Sequence, residues 1–281
     1  MTSGKAGGRP ELTGAYFVPV QSVREGYERF RATSHTVSVW ADTMQHGAPP
    51  SALLTRALEL CQPRAGARLS RITVEILGPV PVAEIESRAW VERPGSRVEM
   101  LGAELTARRP DGSDRVVARA TGWRIALSDT TTAAHDADLS LRPGPSDCEA
   151  GWGFASDWHG GYLDSLEMRG SEAPDPTRGP GRVWAKPIVS LIDGEHYSPL
   201  TRLMSVADIA NGVGARIDVG TWTFLNTDLS VHIYREPVGD WTGVLSETSI
   251  GPDGVGMCAA VLHDEVGPVG RSAQIVEVRR R

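Results

Sequence analysis

His46-Gly-Ala-Pro-Pro-Ser-Ala-Leu-Leu-Thr-Arg-Ala-Leu-Glu-Leu-Cys61 starts as a loop and continues as a helix. Pro49 and Pro50 suit a first helical turn, where the missing N–H groups would have no intrahelical partner. Leu53, Leu54, Ala57, Leu58 and Cys61 then recur with helical period, so the helix buries one face. Upstream, Phe17–Trp40 is strand-like, with Val37 and Val39 alternating against polar neighbours. Downstream come long strand signals at 69–80, 84–93, 97–109 and 115–127. Pro94-Gly95 and Asp111-Gly112 mark turns between them. One helix followed by a meander of long antiparallel strands predicts an α+β unit in which a sheet wraps around the helix.

The unit occurs twice. Strand-like Val183–Leu191 leads to a helix from Pro199 to Asn211, then strands at 222–235, 242–250, 255–264 and 269–279. Ile72-Thr-Val-Glu-Ile76 resembles Leu229-Ser-Val-His-Ile233. Arg97-Val-Glu-Met100 resembles Gly254-Val-Gly-Met257 at the same offset, and Arg119-Ala-Thr resembles Arg271-Ser-Ala. Matched order along the chain is harder to produce by chance than any single match. Two copies are too few for a solenoid and fit a fused pseudo-dimer. The expected organisation is a flexible leader (1–13), a first unit (14–127), a linker (128–153) and a second unit (154–281). A breaker-rich surface loop is expected at 171–181.

The 281 residues are 40% hydrophobic and 23% charged, with a formal net charge of −6. No basic stripe favours nucleic acid, and Arg279-Arg280-Arg281 reads as a solvated tail. The three cysteines (Cys61, Cys148, Cys258) form no C-x-x-C pair or disulfide framework. The N-terminus lacks a signal-peptide core and no apolar run reaches bilayer length, so no membrane partner and a cytoplasmic location are expected. Serine-elbow, phosphate-loop and zinc motifs are absent from the sequence, and no metal or other cofactor is expected.

Within the second helix the apolar stripe runs Leu200, Leu203, Met204, Ala207, Asp208, Asn211. A carboxylate on that face must be hydrogen-bonded or paired. Asp208 reads either as a base raised in pKa by desolvation or as a buried Asp satisfied by its neighbours. In the next strand the period of two puts Leu225, Thr227, Leu229, Val231 and Ile233 on an apolar face, and Asn226, Asp228, Ser230, His232 and Tyr234 on the other. The polar row is a solvated face or the border of a cleft. Gln274 in the last strand aligns with Gly122 of the first copy, and the first helix has no counterpart of Asp208. This asymmetry fits one working site per chain, and a purely structural repeat would look the same. The loop at Gly47 and Ala48 could hold an oxyanion on backbone N–H groups or serve as a plain strand-to-helix turn.

His46-Gly-Ala-Pro-Pro-Ser-Ala-Leu-Leu, Ser198-Pro-Leu-Thr-Arg-Leu, Ala207-Asp-Ile-Ala-Asn-Gly212, Phe224–His232 and Ser249–Gly256 together resemble the TesB-like acyl-CoA thioesterases, an actinobacterial thioesterase-like branch. The resemblance implies a double hotdog fold and hydrolysis of an acyl-CoA or acyl-carrier-protein thioester by an Asp-activated water. It also allows a homo-oligomer of double hotdogs. By motif position, Asp208 and Gln274 match the family's catalytic Asp and Gln. Asn226 stands where relatives have Thr or Ser, with Thr227 beside it, and Ala48 replaces the second glycine of His-Gly-Gly. Two other readings stay open: an enzyme acting on a carrier-bound acyl or polyketide intermediate, and a non-catalytic acyl-binding protein. Dehydration is disfavoured, because Val213 stands where hotdog hydratases carry histidine.

Overall fold

The computed structural model describes residues 14–151, 159–170 and 180–281. The expected leader and residues 171–179 of the expected loop lie outside the described residues. The first half comprises β1 (Ala15–Val20), β2 (Glu28–Ala32), α1 (Ala48–Leu60), β3 (Ala67–Ile76), β4 (Glu84–Arg93), β5 (Val98–Arg108) and β6 (Asp114–Ala126). The second comprises β7 (Glu149–Ala150), β8 (Leu166–Gly170), β9 (Gly181–Pro187), β10 (Ser190–Ile192), α2 (Pro199–Ala207), α3 (Ala210–Val213), β11 (Trp222–Asn226), β12 (Asp228–Ile233), β13 (Thr242–Ile250), β14 (Val255–His263) and β15 (Pro268–Arg280).

All the strands join one sheet, ordered β10-β1-β2-β4-β5-β6-β3-β12-β15-β14-β13-β9-β8-β7, with β11 also on β15. Outward from the β3–β12 junction the order is alike on both sides: β6-β5-β4-β2-β1 on one, β15-β14-β13-β9-β8 on the other. The matching segments Ile72–Ile76 and Leu229–Ile233 pair with each other at that junction, Val74 opposite Leu229 and Ile72 opposite Val231. A second cross-connection is parallel, β1 against β10. The halves are therefore hydrogen-bonded into one sheet, whereas the sequence suggests two units meeting at an interface.

Helix α1 packs on β3–β6 and against α2. Its Leu53, Leu54 and Leu58 are fully buried, each contributing about 1.5–3 kcal/mol by leaving water. Burial extends around the helix to Ser51 and Thr55, whose hydroxyls donate back to the carbonyls of Gly47 and Ser51. Even Arg56 is covered, its guanidinium held by Glu28 and Glu195.

Three boundaries differ from the sequence reading. The predicted helix 199–211 is two pieces: the Ile209 N–H reaches back three residues to Val206, and α2 ends at Ala207 with Asp208 as its C-cap. The predicted strand 222–235 breaks at Thr227. The expected linker ends in β7, a true edge strand on β8, and its Leu141 is buried.

Candidate active site

The break at Thr227 decides which side chains meet. In the β11–β15 pairing Asn226 lies opposite Val276, and in the β12–β15 pairing Ser230 lies opposite Ala273. Four residues on one strand thus span three on the other, a one-residue bulge that inverts the inward–outward alternation. The Asp228 carboxylate caps the disturbed ladder by accepting from the Ile275 N–H. Phe224 and Asn226 consequently face the same way as Leu229, Val231 and Ile233, while Leu225 and Thr227 face out. The uninterrupted alternation expected from sequence, which set Asn226 against Leu229 and put Leu225 and Thr227 on the apolar face, is corrected.

Inward-facing Asn226 meets Asp208. Its Nδ2 donates to Asp208 Oδ1 at 2.7 Å, and Gln274 Nε2 donates to the same oxygen at 2.9 Å. Asp208 and Gln274 are each 1% exposed. Burial pushes the Asp208 carboxyl up from 3.8 to about 6, against the pull of the Asn226 and Gln274 donors; the nearby Asp228 carboxylate pushes it further up. The other oxygen, Oδ2, lies 3.1 Å from His46 Nδ1. Burial drives His46 down to about 3, so its ring is neutral and this contact is not an ion pair.

His46 is held on both sides. Its ring stacks on Tyr162 at 4.1 Å between centroids, and the Tyr162 hydroxyl donates to the Ser205 carbonyl in α2 at 2.6 Å. The Ala48 N–H donates to His46 Nδ1 at 3.2 Å. Pro49 and Pro50 bring no N–H of their own, so Gly47 and Ala48 supply the donors at this helix start. Gly47 is there for space: a Cβ on it would fall 2.6 Å from Asp208 Oδ2. Thr227 has no hydrogen bond to Asp208 among the described residues; its N–H and C=O serve the sheet.

Asp208, His46, Gly47, Asn226 and Thr227 all line a cavity of about 230 Å³. Its walls come from both halves, with Trp40, Met44 and Val74 from the first facing Phe224 and Ile209 from the second. Trp40 and Phe224 meet edge to face at 5.4 Å. Among the described residues no cluster of His, Cys, Asp or Glu could hold a metal ion, and no helix is long and apolar enough to cross a membrane.

The first half repeats this scaffold without its polar groups. Gly122 lies opposite Leu101 and Gln274 opposite Cys258, in matching registers of β5–β6 and β14–β15. A bulge interrupts β3 just after Leu69, as one interrupts the second half just after Asn226. Counted from the prolines that start the helices, Pro49 and Pro199, Leu58 corresponds to Asp208 and Gly47 to Tyr197. Leu58, Leu69 and Gly122 pack together: a Cβ on Gly122 would lie 2.8 Å from Leu69 Cδ2 and 3.1 Å from Leu58 Cδ1. An apolar cluster thus stands where the second half has Asp208, Asn226 and Gln274. Sequence reasoning missed His46 and Tyr162 as neighbours of Asp208. The His46-Gly47 dipeptide before a Pro-Pro helix start was the available signal for the first, and nothing local marked the second.

A family model described as the acyl-CoA thioesterase N-terminal domain matches residues 36–125, and one described as the C-terminal domain matches residues 145–278. Among solved structures, a conserved protein of unknown function with hot dog fold from Alicyclobacillus acidocaldarius gives a TM-score of 0.69 at 14% identity, covering 92% of this chain and 95% of that one. A tesB protein from Mycobacterium avium subsp. paratuberculosis gives 0.64 at 15% identity, covering 92% and 95%. An acyl-CoA thioesterase II from Mycobacterium marinum gives 0.63 at 10% identity, covering 93% and 94%. At these identities the likeness is one of fold. No curated protein sequence matches the chain significantly.

Proposed function

The chain belongs to the acyl-CoA thioesterase family, and from that premise we propose that it hydrolyses an acyl thioester in the cavity beside Asp208. We read the two halves as a double hotdog with one working site, its base in the second unit and its oxyanion donors and much of its wall in the first. The observation that carries this reading is the convergence of two amide donors, Asn226 and Gln274, on one oxygen of a buried carboxylate at a cavity wall. A carboxylate with a pKa of about 6 is mostly ionised at neutral pH, yet basic enough to take a proton from water.

With Oδ1 held by the amides, Oδ2 takes the proton as the water oxygen attacks the thioester carbonyl. The tetrahedral oxyanion collapses, the C–S bond breaks, and the proton returns to the departing thiolate. The products are an acid and a free thiol. Thr227, on the cavity wall, contacts the substrate and not the water.

His46 couples the base to the oxyanion donors. Its Nδ1 has one in-plane site, for a hydrogen or for a lone pair, yet it lies within hydrogen-bond range of both the Ala48 N–H and Asp208 Oδ2. When Asp208 is protonated, Nδ1 serves as acceptor and the Ala48 N–H is engaged. When Asp208 ionises, the tautomer with hydrogen on Nδ1 is favoured, and the Ala48 N–H is released to join Gly47 in holding the oxyanion. The active form of the base thus prepares its own electrophile site.

Thiol release from a panel of acyl-CoA and acyl-carrier-protein thioesters tests the reading. Asp208→Asn should abolish turnover with the folded state intact by circular dichroism. Full turnover by that variant refutes it.

A further inference from the structure

Asn211 stands three residues beyond Asp208, and the backbone keeps turning between them, with Asp208 at φ −70° and Ile209 at φ −69°. Residues three apart on such a turn share a face. The Asn211 side chain therefore leaves the chain on the side from which Asp208 reaches the cavity. The other side of α3 is taken up by the sheet. Ala210 and Val213 are buried against β13 and β14, and the Ala210 carbonyl accepts from the Ser246 hydroxyl at 2.9 Å. Asn211 and Gly212 are half-buried and line the cavity together with Asp208. Asparagine is a poor helix former, favoured where its amide caps or bonds nearby backbone. Here the amide does neither: it makes no hydrogen bond among the described residues, and neither of its polar atoms is sealed from solvent.

Resting on the reading of this cavity as the thioester site, we propose that Asn211 recognises the first amide of the pantetheine arm, the part that CoA and carrier-protein thioesters share. In that arm two methylenes separate the sulfur from an amide nitrogen. When the arm is extended, this nitrogen lies about 5 Å from the thioester carbon. Side chains three apart on a helix start about 5–6 Å from one another. With the carbon in front of Asp208, the amide comes to Asn211. A carboxamide matches an amide on both sides: its oxygen accepts from the N–H, and its nitrogen donates to the C=O. The pair fixes how far the arm enters and so holds the carbon in line with the water. An arm lacking the N–H leaves the Asn211 oxygen without its partner.

The test uses binding, which does not depend on turnover. S-hexyl pantetheine, a thioether, and its analogue with an ester oxygen in place of the first amide nitrogen are titrated calorimetrically into the full-length protein. The wild type should bind the amide about tenfold more tightly than the ester, and Asn211→Leu should bring that ratio close to one by weakening the amide ligand alone. Equal binding of the two by the wild type overturns the proposal, whatever becomes of the variant. A preference that persists in Asn211→Leu also overturns it. The same thioether carried on CoA and on an acyl-carrier protein is titrated alongside. Whichever carrier binds more tightly delivers the arm, and Asn211→Leu must weaken it about tenfold; unchanged affinity counts against the proposal. Hydrolysis of the matching thioesters is measured in parallel. An amide preference without turnover would sink the proposed hydrolysis and leave the role of Asn211 standing; turnover without the preference would do the reverse.

Discussion

Removing the Asn226 donor should move the pH at which the protein becomes active. Asn226 Nδ2 lies 2.7 Å from Asp208 Oδ1, in a site 1% exposed. A hydrogen bond to a charged group contributes about 1.5–3 kcal/mol, which corresponds to about one to two pH units. Asn226→Leu fills similar space without a donor, so the carboxylate loses that stabilisation and Gln274 alone opposes burial. In the wild type, kcat/KM for a thioester should rise with pH through about 6 as Asp208 ionises. In the variant that limb should sit about one to two units higher, giving a several-fold deficit at pH 7 that closes towards pH 9. Asn226→Thr restores a donor and should return the limb towards its original position. The assay is continuous thiol release from pH 5 to 9, with thermal unfolding at each pH to exclude loss of fold. If the limb stays near 6 in Asn226→Leu, the amide does not tune the base.

Three further outcomes follow from the same geometry. Gly47→Ala should push Asp208 Oδ2 out of place, since the new Cβ would lie 2.6 Å from it; kcat should fall about a hundredfold, and unchanged turnover would refute the close packing. The Asp208 pKa is raised on folding, so the native state binds the extra proton between pH 4 and 6, and stability falls as pH rises through that window. The loss is at most about 3 kcal/mol. Asp208→Asn should flatten this trend in urea midpoints at pH 4 and 7.5, and an undiminished slope would assign it elsewhere. Leu58→Asp places a carboxylate at the equivalent position of the first half, where Leu69 and Gly122 offer no donor. It should cost about 3–5 kcal/mol by urea denaturation, and a cost under about 1 kcal/mol would mean that water reaches the position.

The order of helices and strands was legible because hydrophobic periodicity and turn residues are local signals. The pairing of Gly122 with Gln274 was legible too, since each lies three residues after the arginine of the matching Arg119-Ala-Thr and Arg271-Ser-Ala openings of the two closing strands. The face on which Asn226 lies was not. One extra residue at Thr227 reverses every side chain before it relative to those after it, and the Asp228 cap that stabilises the bulge acts on Ile275, far along the chain. The end of α2 at Asp208 was also hidden, because Ala207-Asp-Ile-Ala-Asn211 contains no breaker. Contacts such as His46 with Tyr162, or Gln45 with Pro81, depend on how distant segments return to one place and leave no periodic trace.

The two walls of the cavity answer to different demands. The carboxylate and its two amide donors all sit in the second half, whereas Trp40, Met44, Gln45 and Val74 belong to the first. With its own equivalent positions packed as Leu58, Leu69 and Gly122, the first half brings no carboxylate to the proposed site; its His46-Gly47-Ala48 loop meets Asp208, and Trp40, Met44 and Val74 shape the chamber. If the cavity is the acyl site, substitutions at those three wall positions can redraw the accepted group while Asp208 and His46 stay untouched. On the proposed reading the wall of this duplicated unit becomes an interchangeable mould, and a library at cavity positions 38–44 and 74–80, which spares the His46 loop, is the place to retarget this protein.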